Sequence, residues 1–234
     1  MTADIAESFT PGTWQFTPEV VNDFDNHVRQ SVPHYDLIQG AVAELADWLV
    51  PVSGLVADLG VSTAETPRRI RDRHPGRGLR FVGYDTSPDM LQAAALKVPG
   101  IVTHQGDLRD GLTHTNADLT VSLFTLQFLP PEDRAHVLRL ARAASKPDGA
   151  LLIAEKVRVP DSRWFEIGTE LSWDYKAKAG IPSDAIRAKA AALRGVLRPT
   201  TADWTLRVIA EAGWVGGVCL FRWYQWCLFG AFAS

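Results

Sequence analysis

Five short apolar runs, each bounded by Gly, Pro or Asp and separated from the next by helical periodicity, constrain this chain more than any other feature. They are Leu55–Leu59, Leu79–Gly83, Ile101–Thr103, Leu119–Phe124 and Ala150–Ala154. Strands that read as unbroken apolar segments are buried on both faces, the condition of a parallel sheet covered by helices on two sides. The first three lead into acids: Asp58-Leu59-Gly60, Tyr84-Asp85 and Gly106-Asp107-Leu108. In a doubly wound sheet the ligand lies across the carboxyl ends of the strands, so these acids fall on the binding rim.

A carboxylate at the second strand tip can accept hydrogen bonds from both hydroxyls of a ribose, and Asp85 stands there. Asp107 and the backbone after it are placed to read an adenine edge. The loop after the first strand runs Asp58-Leu59-Gly60-Val61-Ser62-Thr63-Ala64, so Gly60 is the one glycine of a pattern that would be D-x-G-x-G-x-G. Ser62 and Ala64 are small but tolerate positive backbone angles poorly.

The rest of the chain fits a soluble α/β enzyme. It has 234 residues, 46% hydrophobic and 22% charged, with a net charge of −3, which suits one domain over 1–234. The charge balance argues against nucleic acid as an obligatory partner, and the arginines from Arg68 to Arg80 read as a solvated helix face. Cys219 and Cys227 sit in apolar settings without metal-ligand spacing, as reduced thiols in a cytoplasmic protein would, and no metal is expected. No apolar run reaches the roughly 18 residues that span a membrane, and no signal peptide is evident. His104, His114 and His136 read as surface residues.

Residues 1–18 suggest a surface arm. Helices are expected over Glu19–Ser31 and from Tyr35 to about 50, together an N-terminal helical lid over 19–50. Ser87-Pro88 and Thr201 are helix N-caps, and Lys146-Pro147-Asp148-Gly149 is a turn feeding the fifth strand. Residues 160–198 break the alternation with two helices, Trp164–Lys178 and Ser183–Leu197, an insertion beside the ligand end where specificity would be built. An apolar stretch from Val218 to Phe232 reads as a final antiparallel hairpin. The fold expected is α/β: a Rossmann-like, doubly wound, seven-stranded sheet with N-terminal helices and a helical insertion after the fifth strand.

With these motifs placed, the chain resembles the carboxy-S-adenosylmethionine synthase family, a branch of the class I S-adenosylmethionine (SAM) methyltransferases. The matching words are Gln30-Ser31-Val32-Pro33-His34-Tyr35, Asp58-Leu59-Gly60, the run from Asp85-Thr86-Ser87 to Met90, Gly106-Asp107-Leu108-Arg109-Asp110, Phe124-Thr125-Leu126-Gln127-Phe128-Leu129 and Glu155-Lys156. The resemblance implies SAM as cofactor, with Tyr35 on the methionine carboxylate, Asp85 on the ribose and Asp107 with Leu108 on the adenine. Asp58, Gly60, Ser62, Thr86 and Ser122 complete the implied cofactor site. That family uses SAM itself as acceptor: a carboxylated ylide forms when prephenate releases carbon dioxide. A homodimer is also implied, with the C-terminal hairpin and inserted helices as contact surfaces.

Three departures qualify the resemblance. The arginine that holds the new carboxylate in the family aligns with Ala190, although Arg187 and Arg194 lie on the same helical face. Ser122 stands where the family has an amide, and Ala64 where the loop has glycine. The leading expectation is therefore a SAM-dependent methyltransferase acting on a small, fairly apolar metabolite. Retained carboxy-SAM synthesis, self-cyclisation of SAM with release of methylthioadenosine, and non-catalytic SAM binding are the alternatives. Candidate bases are His34, Tyr35, Glu155, Asp174 and Tyr175; Trp173 and Tyr175 could offer an aromatic face to a sulfonium or a planar acceptor.

Overall fold

A computed structural model describes Val21 and residues 23–233. The expected surface arm and residues 19, 20 and 22 of the expected N-terminal helix lie outside the described residues. The chain runs α1 (Phe24–Ser31), α2 (Tyr35–Leu49), β1 (Leu55–Leu59), α3 (Glu65–Arg73), β2 (Arg80–Asp85), α4 (Pro88–Lys97), β3 (Val102–Gln105), β4 (Ala117–Leu123), α5 (Pro131–Ala144) and β5 (Ser145–Lys156). The insertion supplies α6 (Ser162–Lys178) and α7 (Ser183–Ala192), and α8 (Ala202–Glu211), β6 (Val215–Trp223) and β7 (Trp226–Phe232) finish the fold. The seven strands form one sheet in the order β3-β2-β1-β4-β5-β7-β6. Strands β1 to β5 are parallel, and β7 enters antiparallel between β5 and β6.

Unbroken apolar strands have their physical reason in two cores. Successive side chains of a strand point to opposite faces. On β5, Leu151 and Ile153 belong to the core under α5 and α8, while Leu152 and Ala154 belong to the core under α2, α3 and α4. Helix α2 puts Ile38, Val42 and Ala46 at the heart of that second core, while its first turns bring Tyr35 and Gln39 to the ligand end. The short α1 is the element that roofs the ligand end.

Local signals behave as expected at the caps. The Ser87 hydroxyl accepts from the Met90 amide with Pro88 at the first helical position, and Thr201 accepts from Trp204. Four details differ. Lys146-Pro147-Asp148-Gly149 is a bulge inside β5 and not a separate turn, because Ser145 already pairs with Ala117 before Ala150 pairs with Leu119. Helix α7 stops at Ala192, well before Leu197. His114 is buried, its Nδ1 2.8 Å from the Tyr84 hydroxyl. The arginine run is a network: Arg68 and Arg69 both pair with buried Glu65, and Arg73 pairs with Asp47.

Candidate active site

The carboxyl ends of β1, β2 and β4, roofed by α1 and walled by α6 and α7, enclose a cavity of about 300 Å³. Its two ends differ in charge. One end is acidic, lined by Asp58, Asp85 and Asp107 from successive strand tips. The Asp85 carboxylate is held by two backbone amides, Ser62 on Oδ2 and Ser87 on Oδ1, each at 3.0 Å. Burial raises its pKa and those amides draw it back. Asp58 is fully enclosed, and burial together with the Asp85 charge pushes it up to about 8, so it is protonated at neutral pH. Asp107 is engaged through both oxygens by the Arg109 guanidinium, which holds its carboxyl below the usual range.

The loop between Asp58 and α3 makes this end concave. Gly60, Ser62 and Ala64 have φ of 90°, 50° and 61°, so the backbone takes the left-handed path at all three positions although only Gly60 is suited to it. A Cβ on Gly60 would run into the Thr125 side chain. Phe124 also has positive φ, 62°, a rare state for a bulky residue that turns its ring into the cavity wall between Tyr35 and Trp226. Tyr35 is buried, its hydroxyl accepts from Gln39 Nε2 at 2.9 Å, and burial raises its pKa so that the phenol stays protonated. Gln39 Oε1 is left buried without a partner in the same wall.

The other end is basic. Lys156 from the end of β5, Lys176 from α6 and Lys189 from α7 all line it. Burial lowers the pKa of each ammonium; Lys156 further lowers Lys176, to about 8, and Lys176 further lowers Lys189, to about 7. Lys189 Nζ also bonds the His27 ring and donates to the Ser31 hydroxyl at 3.0 Å, joining α7 to the α1 roof. Burial and the Lys189 and Lys176 charges drive His27 down to about 3, so its ring is neutral. Trp226 lies beneath Lys156, 5.8 Å from its ammonium to the ring centre, and its indole N–H is buried without a hydrogen-bond partner.

The structure brings Tyr35, Asp58, Gly60, Ser62, Asp85, Thr86, Asp107 and Leu108 to one cavity. It does not bring Ser122, Trp173 or Tyr175 there. Ser122 is fully buried behind the cavity wall and donates to the Leu59 carbonyl at 3.2 Å, stitching β4 to β1. Trp173 is half-buried on α6 and does not line the cavity, although it lies three residues before Lys176 and so on a neighbouring part of the same helical face. Tyr175 packs in an aromatic cluster with His34 and Trp223, at 5.8 and 6.2 Å between centroids. Of the other candidate bases, Asp174 is exposed, and Glu155 is buried beside Arg134 and Thr205, where burial pushes it up to about 7. Arg187 and Arg194 are both exposed and do not line the cavity. The residues that sequence reasoning missed are Gln39, Lys176, Lys189 and Trp226; Lys189 adjoins the noted Ala190, which was the available signal.

Comparisons with known proteins agree with this architecture. Residues 56–149 match the model of a methyltransferase domain family. A carboxy-S-adenosyl-L-methionine synthase of Shewanella sp. (strain MR-7) is 34% identical over 194 residues, covering 80% of this chain and 79% of the relative. The protein of the same name from Shewanella amazonensis is 32% identical over 220 residues, covering 92% and 90%. Human N-acetylserotonin methyltransferase, solved with SAM, superposes with a TM-score of 0.62 at 17% identity over 92% of this chain and 55% of that longer one, a likeness of fold. The acidic strand tips and the bent glycine loop fit an adenosyl ligand, and this chain belongs to the carboxy-S-adenosyl-L-methionine synthase family, whose members are enzymes that use SAM on a methyltransferase fold.

Proposed function

We propose that this chain synthesises carboxy-SAM, with SAM as carbon acceptor and prephenate as carboxyl donor. The observation that supports this over an apolar methyl acceptor is the charge of one end of the cavity, which three lysines from three elements line. Buried cations call for an anionic partner, since an ammonium stripped of water is costly unless paired. The arginine absent at Ala190 is replaced in charge by Lys189 and Lys176, and not by Arg187 or Arg194.

In this reading Asp85 accepts the ribose hydroxyls, Asp107 and the Leu108 backbone meet the adenine, and Gln39 Oε1 and Asp58 face the methionine ammonium. SAM supplies a sulfonium that makes its attached methyl carbon acidic. Tyr35, protonated, donates to the methionine carboxylate, Phe124 walls the sulfonium, and the α1 roof excludes water. The lysines hold the donor's carboxylate beside that methyl group. The carboxyl group leaves the donor as carbon dioxide and forms a new bond to the methyl carbon, while the methyl proton combines with the hydroxide that the donor ring expels.

Methyl transfer to an anionic acceptor is the second reading. It is favoured by the ammonium groups being point charges and not the planar fork that grips a carboxylate bidentately. Mass spectrometry of products after incubation with SAM, with and without prephenate, tests both. Prephenate-dependent carboxy-SAM is the expected result. S-adenosylhomocysteine formed only with an added anionic acceptor would replace the first reading by the second, and methylthioadenosine formed without any acceptor would overturn both. The same proposal takes the enzyme as a cytoplasmic homodimer joined through the exposed Val218, Leu220 and Phe232 of the C-terminal hairpin. A monomeric mass by sedimentation at micromolar concentration would refute the dimer.

A further inference from the structure

Lys156, Lys176 and Lys189 approach one compartment from a strand end and two helices of the insertion, and each is half-buried. Their positions differ in what already occupies them. Lys189 is committed to His27 and Ser31 on α1. Lys156 lies over the face of Trp226. Lys176 has no hydrogen-bonding or ionic partner among the described residues, and the charged group acting on it is the like charge of Lys156. On the same wall Trp226, 5% exposed, carries a buried indole N–H that donates to nothing. Lys176 and Trp226 thus line the same cavity, one with an ammonium and the other with a shielded indole N–H, and neither donor has an acceptor among the described residues.

We propose that Lys176 and the indole N–H of Trp226 together form the seat for a carboxylate of the second substrate, with Lys156 and Lys189 as flanking charges. This deepens, and rests on, the reading of the site as one that takes an anionic partner. The seat is made of amines where a guanidinium would stay charged at any physiological pH. Its hold is therefore pH-gated. Around Lys176 the titratable groups are Lys156 on β5, Lys189 on α7 and the neutral His27 on α1, so nothing nearby compensates when its proton leaves. Lys176 titrates at about 8 and Lys189 at about 7, so affinity is full in mild acid and falls as pH rises through that range. An incoming carboxylate raises both values, so binding takes up a proton.

Two probes test the seat, prephenate and malonate, bound to the S-adenosylhomocysteine-loaded enzyme and followed by calorimetry from pH 6 to 9. Wild type is expected to bind prephenate more weakly as pH rises, with proton uptake near pH 8. Lys176→Gln is expected to weaken anion binding about tenfold or more at pH 7 and to remove the proton uptake assigned to that residue, while leaving S-adenosylhomocysteine affinity and Tm in place. Lys176→Arg is expected to keep binding and extend it to pH 9. Trp226→Phe retains the ring and loses the N–H, and is expected to weaken binding several-fold without altering the pH profile. Equal affinity of wild type and Lys176→Gln for both anions, or no anion binding by wild type at millimolar concentration, would overturn the seat. Lys176-dependent malonate binding without any prephenate turnover would leave the seat standing and remove the carboxy-SAM reading.

Discussion

The two ends of the cavity are built by different means. The acidic end is made by strand tips: Asp58, Asp85 and Asp107 are fixed by the sheet, and Asp85 is further fixed by two backbone amides. The basic end is made by Lys156 at the tip of β5 and by the two helices added after it, whose Lys176 and Lys189 reach the cavity on long side chains. Backbone-defined groups are pre-organised to within the tolerance of a hydrogen bond, whereas the lysines must give up rotamer freedom to act. The acidic end is the part suited to holding one invariant ligand, and the basic end is the part that can be retuned for another partner.

The sharpest way to break this comparison is Gly60→Ala. Its positive φ and the collision with Thr125 predict a loss of about 2–4 kcal/mol of stability, seen as a lower Tm by calorimetry, with SAM binding lost at the same time. Asp85→Ala comes next: removal of an ionised acceptor is expected to cost about 1.5–3 kcal/mol, or about 10–100-fold in SAM affinity, while malonate binding at the basic end stays within about twofold. If both ligands weakened equally, the two ends would not be separable.

Asp58 sharpens the acidic end through pH. Its folded pKa, about 8, lies above the ordinary carboxyl value, so the stability it contributes is complete below about pH 4 and is lost as pH rises toward 8. Asp58→Asn should therefore raise Tm most at pH 7–8 and little at pH 4. A methionine ammonium beside Asp58 would favour its ionised form, so SAM binding at pH 7 should release a proton, readable by calorimetry in buffers of different ionisation enthalpy. That release at the acidic end is opposite in sign to the uptake expected at the basic end. The smallest effect belongs to the roof. Arg29 ties α1 to Glu65 and Asp36, and Arg29→Ala should cost no more than about 1 kcal/mol, with the loss in SAM affinity shrinking further in high salt.

How much was legible in the sequence follows the same division. Strand positions carry a strong signal, because a residue at a strand tip in a doubly wound sheet can lie in one place only; Asp58, Asp85 and Asp107 were readable for that reason. Helical positions in an insertion do not, since a rotation of about 100° per residue separates a lining side chain from one on the surface. Tyr175 carried the more evocative chemistry, yet Lys176, one residue on, faces the cavity. Ser122 followed from the resemblance, but it lies one residue inside the end of β4, and its hydroxyl donates to the Leu59 carbonyl of β1 instead of reaching the cavity that Leu123 and Phe124 line. The lysines at 156, 176 and 189 are far apart in sequence, and no local pattern announces that they meet.

The left-handed turns at Gly60, Ser62 and Ala64 have a wider consequence. The path of this loop is imposed by its surroundings, with Tyr84 O accepting from Gly60 and Val61 and Asp85 accepting from Ser62. Those bonds act as a mould that forces a contour on whatever small residue is poured into it. Left-handed backbone at a non-glycine residue costs about 1–2 kcal/mol. Ser62→Gly and Ala64→Gly would relieve that, but would also free the unfolded chain by about 0.4–1 kcal/mol each, leaving a gain of a few tenths to about 1 kcal/mol per site. Selection on stability is then nearly indifferent to glycine at these two positions. A search keyed to the glycines would pass over chains of this kind, whereas one keyed to the acid at the next strand tip, which closes the mould, would find them.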